Sequence, residues 1–473
     1  MTLRLNRRGF LHGSTAAGLG YLFTGPAFSV VRAQGSNDRI KVAGIGVGGK
    51  GRSDIEQAGQ FMEVVGLCDI DTSAKHLGGA KDKFKDAETF VDFRKMFDKI
   101  GKKFDAAVIS TADHTHALAA AMAIKMGKHV YVQKPLTRTV FEAHYLRKLA
   151  VEHKVCTQMG NQGTAADGLR RAVELIQSGI IGNVTEVHVW TNRPVWPQAP
   201  QVTKRLTKSD VPNTVNWDEF LGPAPDRVYA SGYTPFVWRG WWDFGTGAIG
   251  DMACHTANMA FMALKLGHPI AVSAKAEGVN AETCPSAANV TLKFAARGNM
   301  PPVTLYWYEG KKDGKKVLPS KEIIEKAVAL KDHPNAKRKG EVVDSGSFMI
   351  GDKGYLYSPD DYGADVYFGP AAEFADLKNK KKPERLAGNN GGDGGQKKEW
   401  AAAIKAGKPT LALSNFDYSS YLTAAFLLGN VAIRTGKAFE FDGETLEAKG
   451  CPEAAQYIKS EYRKGWDFLE ARA

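Results

Sequence analysis

The segment from Ile40 to Asp69 constrains the fold more than any other part of this chain. An apolar run, Ile40-Lys41-Val42-Ala43-Gly44-Ile45, leads into Gly46-Val47-Gly48-Gly49-Lys50-Gly51, and a second run from Phe61 to Cys68 ends at Asp69. A strand feeding a glycine loop and then another strand predicts a parallel βαβ unit. The alternation continues with a buried strand at 105–110, a helix at 117–126, a strand at His129–Val132 and a helix at 140–153. Such a series requires a parallel sheet covered on both faces. Residues 39–159 are therefore expected to form a doubly wound α/β Rossmann domain.

Gly46, Gly48 and Gly51 have the spacing that lets backbone amides approach a pyrophosphate at a helix N-terminus. A second register, Gly44-Gly46-Gly49, would place Gly44 inside the strand and is less favoured. Asp69 stands 23 residues after Gly46, where a carboxylate accepts ribose hydroxyls. The next residue is Ile70 and no arginine adjoins Asp69, which favours NAD over NADP. Thr111, at the carboxyl edge of the strand ending at Ile109, is a candidate cofactor contact. His116 either touches the cofactor or ties its loop to the following helix. Asp113 or Thr115 is expected to cap that helix, and His114 to lie on the surface. Gln133 and Lys134 follow the strand at His129–Val132 and are expected to point at the nicotinamide side of the cleft, where Pro135 fixes the turn.

Beyond Met159 the pattern changes. A helix at 169–178 and a strand at 184–190 precede a Pro- and Trp-rich stretch, 193–242, without clear periodicity. Strand-like segments follow at 271–276, 289–294, 302–308, 347–350, 354–358 and 364–368. They predict an α+β C-terminal domain over 160–442 with a large, mainly antiparallel sheet. Stretches 311–342 and 377–395 read as polar loops, 396–405 and 418–435 as helices, and 443–473 as a C-terminal extension.

Within this half, Gly245-Thr246-Gly247-Ala248-Ile249-Gly250-Asp251-Met252-Ala253-Cys254-His255 is a glycine-rich turn entering a helix. Asp251 and His255, four apart, share one face of it, and their apolar neighbours argue against a solvated surface. No third ligand accompanies them, so no metal is expected. Aromatics, arginine and amides suit a sugar or cyclic polyol, whose C–H faces stack while its hydroxyls need hydrogen-bond partners. Asn161, Gln162, Arg193, Trp238 and Arg239 are the candidate substrate contacts; several other tryptophans are expected to fill the core.

The first 33 residues read as an address rather than as fold. Asn6-Arg7-Arg8-Gly9-Phe10-Leu11 is a twin-arginine motif, a weakly apolar stretch follows, and Val31-Arg32-Ala33 offers a small residue for cleavage. Gly18, Gly20, Gly25 and Pro26 interrupt that stretch, which argues against a retained membrane anchor. The expectation is passage through the twin-arginine export machinery to the periplasm or beyond. Because that route carries folded proteins, NAD would travel already bound, and tightly. About 440 residues remain, enough for two domains. Losing the four signal arginines lowers the formal charge from +12 to +8. The surplus lies largely in Lys311–Lys316 and Lys378–Lys382, with no nucleic-acid motif beside them, so no nucleic-acid partner is expected. Five scattered cysteines define no disulfide framework. Cys68 and Cys254 read as small core residues.

The glycine loop, Lys134-Pro135 after a strand, and the glycine-rich turn leading to Asp251-x-x-x-His255 resemble, in this order, the Gfo/Idh/MocA family. The resemblance reaches from the start of the mature chain to about Asp442. Gln133 stands where the family usually has glutamate, and Ala112 where proline is common. The export signal resembles a secreted branch. The resemblance implies oxidation of a secondary alcohol, with His255 as general base, Asp251 orienting it and Lys134 stabilising the alkoxide. In the family the lysine sometimes takes the proton itself, so the base is either residue. A homo-oligomer is implied as well. The leading expectation is an exported NAD(P)-dependent oxidoreductase acting on a sugar, glycoside or cyclic polyol. A redox-neutral glycosidase, lyase or epimerase with tightly bound NAD is the alternative. A non-catalytic sugar-binding protein is disfavoured by the intact Lys134/Asp251/His255 set.

Overall fold

Six parallel strands build the first sheet: β1 (Lys41–Ile45), β2 (Glu63–Cys68), β3 (Glu88–Phe90), β4 (Ala106–Ile109), β5 (His129–Val132) and β6 (Thr157–Met159). Their order is β3-β2-β1-β4-β5-β6. Helices α1 (Gly49–Ala58), α2 (Leu77–Lys83), α3 (Phe93–Ile100), α4 (Asp113–Lys125) and α5 (Val140–Glu152) connect them. These elements come from a computed structural model, which describes residues 39–331, 343–379 and 388–470. The expected export signal and its cleavage point lie outside the described residues. Every residue of β4 and β5 is buried, as an inner parallel strand covered on both sides requires. Strand order reverses between β1 and β4, and ligands bind at the carboxyl edge of such a switch point.

The second half contributes α6 (Asp167–Gln177), β7 (Val184–Trp190), α7 (Trp217–Leu221), α8 (Gly247–Thr256), α9 (Asn258–Ala263), β8 (Ala271–Glu277), β9 (Ala287–Phe294), β10 (Val303–Lys312), β11 (Lys315–Lys316), α10 (Lys321–Lys331), β12 (Gly346–Gly351), β13 (Gly354–Ser358), β14 (Tyr367–Gly369), α11 (Gly392–Ala406), α12 (Phe416–Thr435), β15 (Phe439–Asp442) and β16 (Glu447–Lys449). Among the described residues the second sheet runs β14-β13-β12-β7-β10-β9-β8-β15-β16, with β11 added to β10. Its pairs are antiparallel except for β7 with β10. Helix α12 joins the halves: it packs on α5 of the first sheet and on α8 and β8 of the second. Asn415 caps its start by accepting from Asp417 N and Tyr418 N, and Gly436 at φ +66 ends it.

Three segments differ from the sequence expectation. Part of the stretch read as a loop is the helix α10, which buries Ile323, Ala327 and Leu330 along one face. Lys311 and Lys312 pair with Lys316 and Lys315 as a hairpin rather than a loop. Helix α11 begins at Gly392, earlier than expected, and returns to cover the first sheet. There Trp400 shares a core with Ile55, Tyr131 and Cys156, and its Nε1 donates to the Cys156 carbonyl at 3.1 Å. The C-terminal extension also returns: the Trp466 ring lies 5.9 Å from that of Phe93 on α3, with the Arg94 guanidinium 4.0 Å above it.

Candidate active site

A cavity of about 740 Å³ runs along the carboxyl edge of the first sheet, from Gly46, Gly48 and Asp69 past Thr111, Gln133 and Lys134 to Gln162, Trp238, Arg239 and His255. Its volume suits a cofactor-sized ligand. At the glycine loop, Gly46 adopts φ +75, and a Cβ there would come within 2.7 Å of the Ser110 carbonyl. A Cβ on Gly51 would strike the Gly46 carbonyl at 1.8 Å, so this glycine permits close packing of α1 on β1. Asp69 Oδ2 accepts from Val47 N at 2.8 Å and Gly48 N at 3.0 Å. Tight glycines, a carboxylate at the end of β2 and a helix N-terminus fit a dinucleotide. Gly46, Gly48 and Asp69 would hold its phosphate and ribose groups.

Lys134 leaves the end of β5 and donates to Asp251 Oδ1 at 2.6 Å and to the Asp251 carbonyl at 3.0 Å. Arg239 Nε donates to the same carboxylate oxygen at 3.1 Å, and Arg193 Nε stands 4.0 Å from Asp251 Oδ2. Burial pushes the Asp251 carboxyl up, but Lys134 and Arg239 outweigh it and hold the group well below the usual carboxylate range. Asp251 was expected to orient His255; instead it turns to the three cations. The physical reason is that a buried carboxylate is stabilised far more by paired charge than by a neutral imidazole. His255, 4 % exposed, has its Nδ1 buried without a hydrogen-bond partner among the described residues. Burial first, and the Lys134 charge second, lower its pKa to about 3, so the ring is neutral near neutral pH. The Tyr362 ring meets His255 edge-on with centroids 5.1 Å apart.

Trp238 and Arg239 are carried by the stretch that showed no periodicity. It folds around an aromatic cluster of its own, Phe220, Tyr233, Trp241 and Phe244. The Arg239 guanidinium lies 4.2 Å over the Trp238 ring, which holds it at the cavity wall. Trp190, Trp196, Trp241 and Trp242 are buried and fill the interior.

Gln133 explains its own departure from glutamate. Its Nε2 donates to Asp54 Oδ2 at 2.8 Å, while Oε1 accepts from Lys134 N at 3.2 Å. Asp54, on α1, is fully buried and also accepts from Ser110 Oγ at 2.9 Å, Lys397 Nζ at 2.6 Å and Lys50 Nζ. Lys397, on α11, reaches Asp393 Oδ1 at 2.5 Å. A glutamate at 133 would bring a second carboxylate against Asp54. This two-lysine, two-aspartate network was not foreseen, since its members are brought together only by the return of α11.

Other side chains stand elsewhere than expected. His116 is absent from the cavity wall: its Nδ1 faces the Pro135 carbonyl at 2.9 Å and its Nε2 the Thr111 carbonyl at 3.1 Å. It braces the backbone that presents Thr111 and Lys134. His114 is buried, not superficial, with ring nitrogens 3.2 Å and 2.7 Å from the Phe244 and Phe220 carbonyls. Asn161 is fully buried, donates to the Cys254 carbonyl at 3.2 Å and accepts from Ser414 Oγ at 2.5 Å. It ties β6 to α8 and does not face the cavity. The N-cap of α4 is Ala112 without a side-chain cap. Asp113 instead accepts from Thr246 Oγ1 at 2.7 Å, and burial raises its pKa to about 7.

Comparison with known proteins gives a consistent picture. Residues 39–161 match the model described as oxidoreductase family, NAD-binding Rossmann fold, and residues 165–300 match its C-terminal alpha/beta domain. Among curated relatives, glycosyl hydrolase family 109 protein 2 of Akkermansia muciniphila is 28% identical over 31% of this chain and 32% of its own length. An alpha-N-acetylgalactosaminidase of Shewanella oneidensis is 27% identical over 31% of this chain and 33% of its own. The chain thus spans about a third of the curated relatives it matches. Among solved structures, the WlbA dehydrogenase of Bordetella pertussis, in complex with NADH and UDP-GlcNAcA, has a TM-score of 0.57 at 16% identity, covering 86% of this chain and 99% of that one. A levoglucosan dehydrogenase in complex with NADH and levoglucosan has a TM-score of 0.54 at 15% identity, with 85% and 99% covered.

Proposed function

This chain belongs to the Gfo/Idh/MocA oxidoreductases, an NAD-binding family, and on that premise we propose that it oxidises a secondary hydroxyl of a sugar, glycoside or cyclic polyol. The observation that carries the reading is that Lys134, paired with Asp251, and His255 line the same cavity as the glycine loop. Bound NAD supplies the hydride acceptor. Lys134, fixed by Asp251, donates to the substrate oxygen and stabilises negative charge on it as the proton leaves. His255, neutral and lining the cavity, takes the hydroxyl proton. Trp238 and Arg239 offer a stacking face and a donor for a sugar ring.

The family 109 relatives support a second reading, in which the same residues serve a glycosidase, lyase or epimerase that returns the hydride within each turnover. The twin-arginine motif supports export to the periplasm or beyond, and the broad second sheet suits self-association. Incubating the purified protein with a glycoside panel separates the two chemistries. Net NADH and ketone formation supports oxidation, whereas cleavage or isomerisation without net redox change supports the cyclic route. Bound sugar without turnover would contradict both.

A further inference from the structure

His76, which the glycine-loop reading did not include, occupies an unusual place. In a dinucleotide fold the second glycine of the loop is bare so that the pyrophosphate can approach the backbone. Here the His76 ring packs beside Gly48, so a diphosphate approaching the loop meets the imidazole: a Cβ on Gly48 would lie 2.0 Å from His76 Nδ1. The ring also lines the cavity beside Lys50 and Asp69. Its two nitrogens are turned to carboxylates, Nδ1 3.5 Å from Asp69 Oδ1 and Nε2 3.8 Å from Asp71 Oδ2. Arg52 Nη2 holds the His76 carbonyl at 2.7 Å, anchoring the residue at the entrance to α2.

We propose that His76 is a cationic partner of the cofactor's diphosphate at the glycine loop, and that its charge governs how tightly NAD is retained. Two carboxylates face the ring, whose side chain keeps only 25% of its surface exposed. The charged groups around it are Asp69 at the end of β2, Asp71 in the following loop and Arg52 on α1, with Lys75 beside it on the cavity wall. The Asp69 carboxylate beside the ring comes first in raising the His76 pKa above its ordinary value, Asp71 adds to it, and burial and Arg52 oppose. An added diphosphate raises it further. Binding is therefore tightest at pH values where the ring is charged, and it weakens as pH rises through the ring's pKa in the complex.

The proposal rests on NAD occupying this cavity and deepens the reading of a retained cofactor. It is tested by calorimetric titration of NAD into the nucleotide-stripped protein from about pH 6 to about pH 9. A charge-assisted contact of this kind corresponds to about a tenfold change in affinity. The wild-type dissociation constant should rise by about that factor across the range. His76→Gln should bind about tenfold more weakly at low pH and show no pH trend. His76→Lys should stay tight throughout, which separates lost charge from lost folding. A His76→Gln protein that binds NAD as tightly as wild type, or more tightly, overturns the proposal, the latter marking the ring as an obstruction. Because the readout is binding, failure of every sugar to react would refute the proposed oxidation and leave this result intact.

Discussion

Replacing Lys397 by methionine removes the cation that locks α11 onto the helix of the glycine loop. Lys397 and Asp54 are both fully buried, and Lys397 Nζ lies 2.6 Å from Asp54 Oδ1 and 2.5 Å from Asp393 Oδ1. Removing one partner of a buried ion pair costs about 3–5 kcal/mol, because the other charge stays desolvated. Asp54 keeps Lys50, Ser110 and Gln133, so Lys397→Met is expected near the low end, about 3 kcal/mol. Asp54→Asn in the same chain should recover part of that loss, with a coupling of about 2 kcal/mol. Urea unfolding of the NAD-free protein, followed by tryptophan fluorescence, reads both values. A loss below about 1 kcal/mol, in the range of a surface pair, would refute the reasoning, as would strict additivity of the two changes.

Three further outcomes are expected. Since the His255 pKa is lowered to about 3, the ring should remain neutral as pH falls through the ordinary histidine range. Its imidazole nitrogen resonances should not titrate near pH 6.5 as a solvent-exposed histidine does. Lys134→Ala should lower kcat by about 10²–10⁴-fold, as loss of a positioned proton-transfer or charge-stabilising group does. NAD affinity should be retained, and titration of NAD into the variant checks that half. Gln133→Glu places a carboxyl against buried Asp54, raising its pKa in the folded state. The variant should match wild type at low pH and lose stability progressively as pH rises above the unfolded glutamate value, about 4.3. Thermal melts across pH give the sign.

Local pattern carried the sequence reading wherever structure is set by near neighbours. The strands at Val184–Trp190 and Gly354–Ser358 lie in the segments read as strands, and the glycine loop opens α1. Helix α10 escaped because its buried face is only Ile323, Ala327 and Leu330 among lysines and glutamates. At the site, same-face spacing brought Asp251 and His255 into one place but misjudged their relation. The partner of Asp251 is Lys134, 117 residues away, and helix periodicity carries no information about a cation arriving from another sheet. Asp54 with Lys397, 343 residues apart, and His114 under Phe220 and Phe244 have the same origin. His76 was overlooked for a different reason: the loop motif describes the glycines and is silent on the side chain laid over them.

The most direct test of the central claim is a rapid-mixing measurement. NAD-loaded protein is mixed with a panel of sugars, glycosides and cyclic polyols, and the absorbance of reduced nicotinamide is followed in wild type and Lys134→Ala. The cavity geometry predicts that at least one substrate produces reduced cofactor on the wild-type protein, lasting or transient, and that the signal falls by orders of magnitude in the variant. Reduction proceeding equally fast without Lys134, or its absence with every compound, would contradict it.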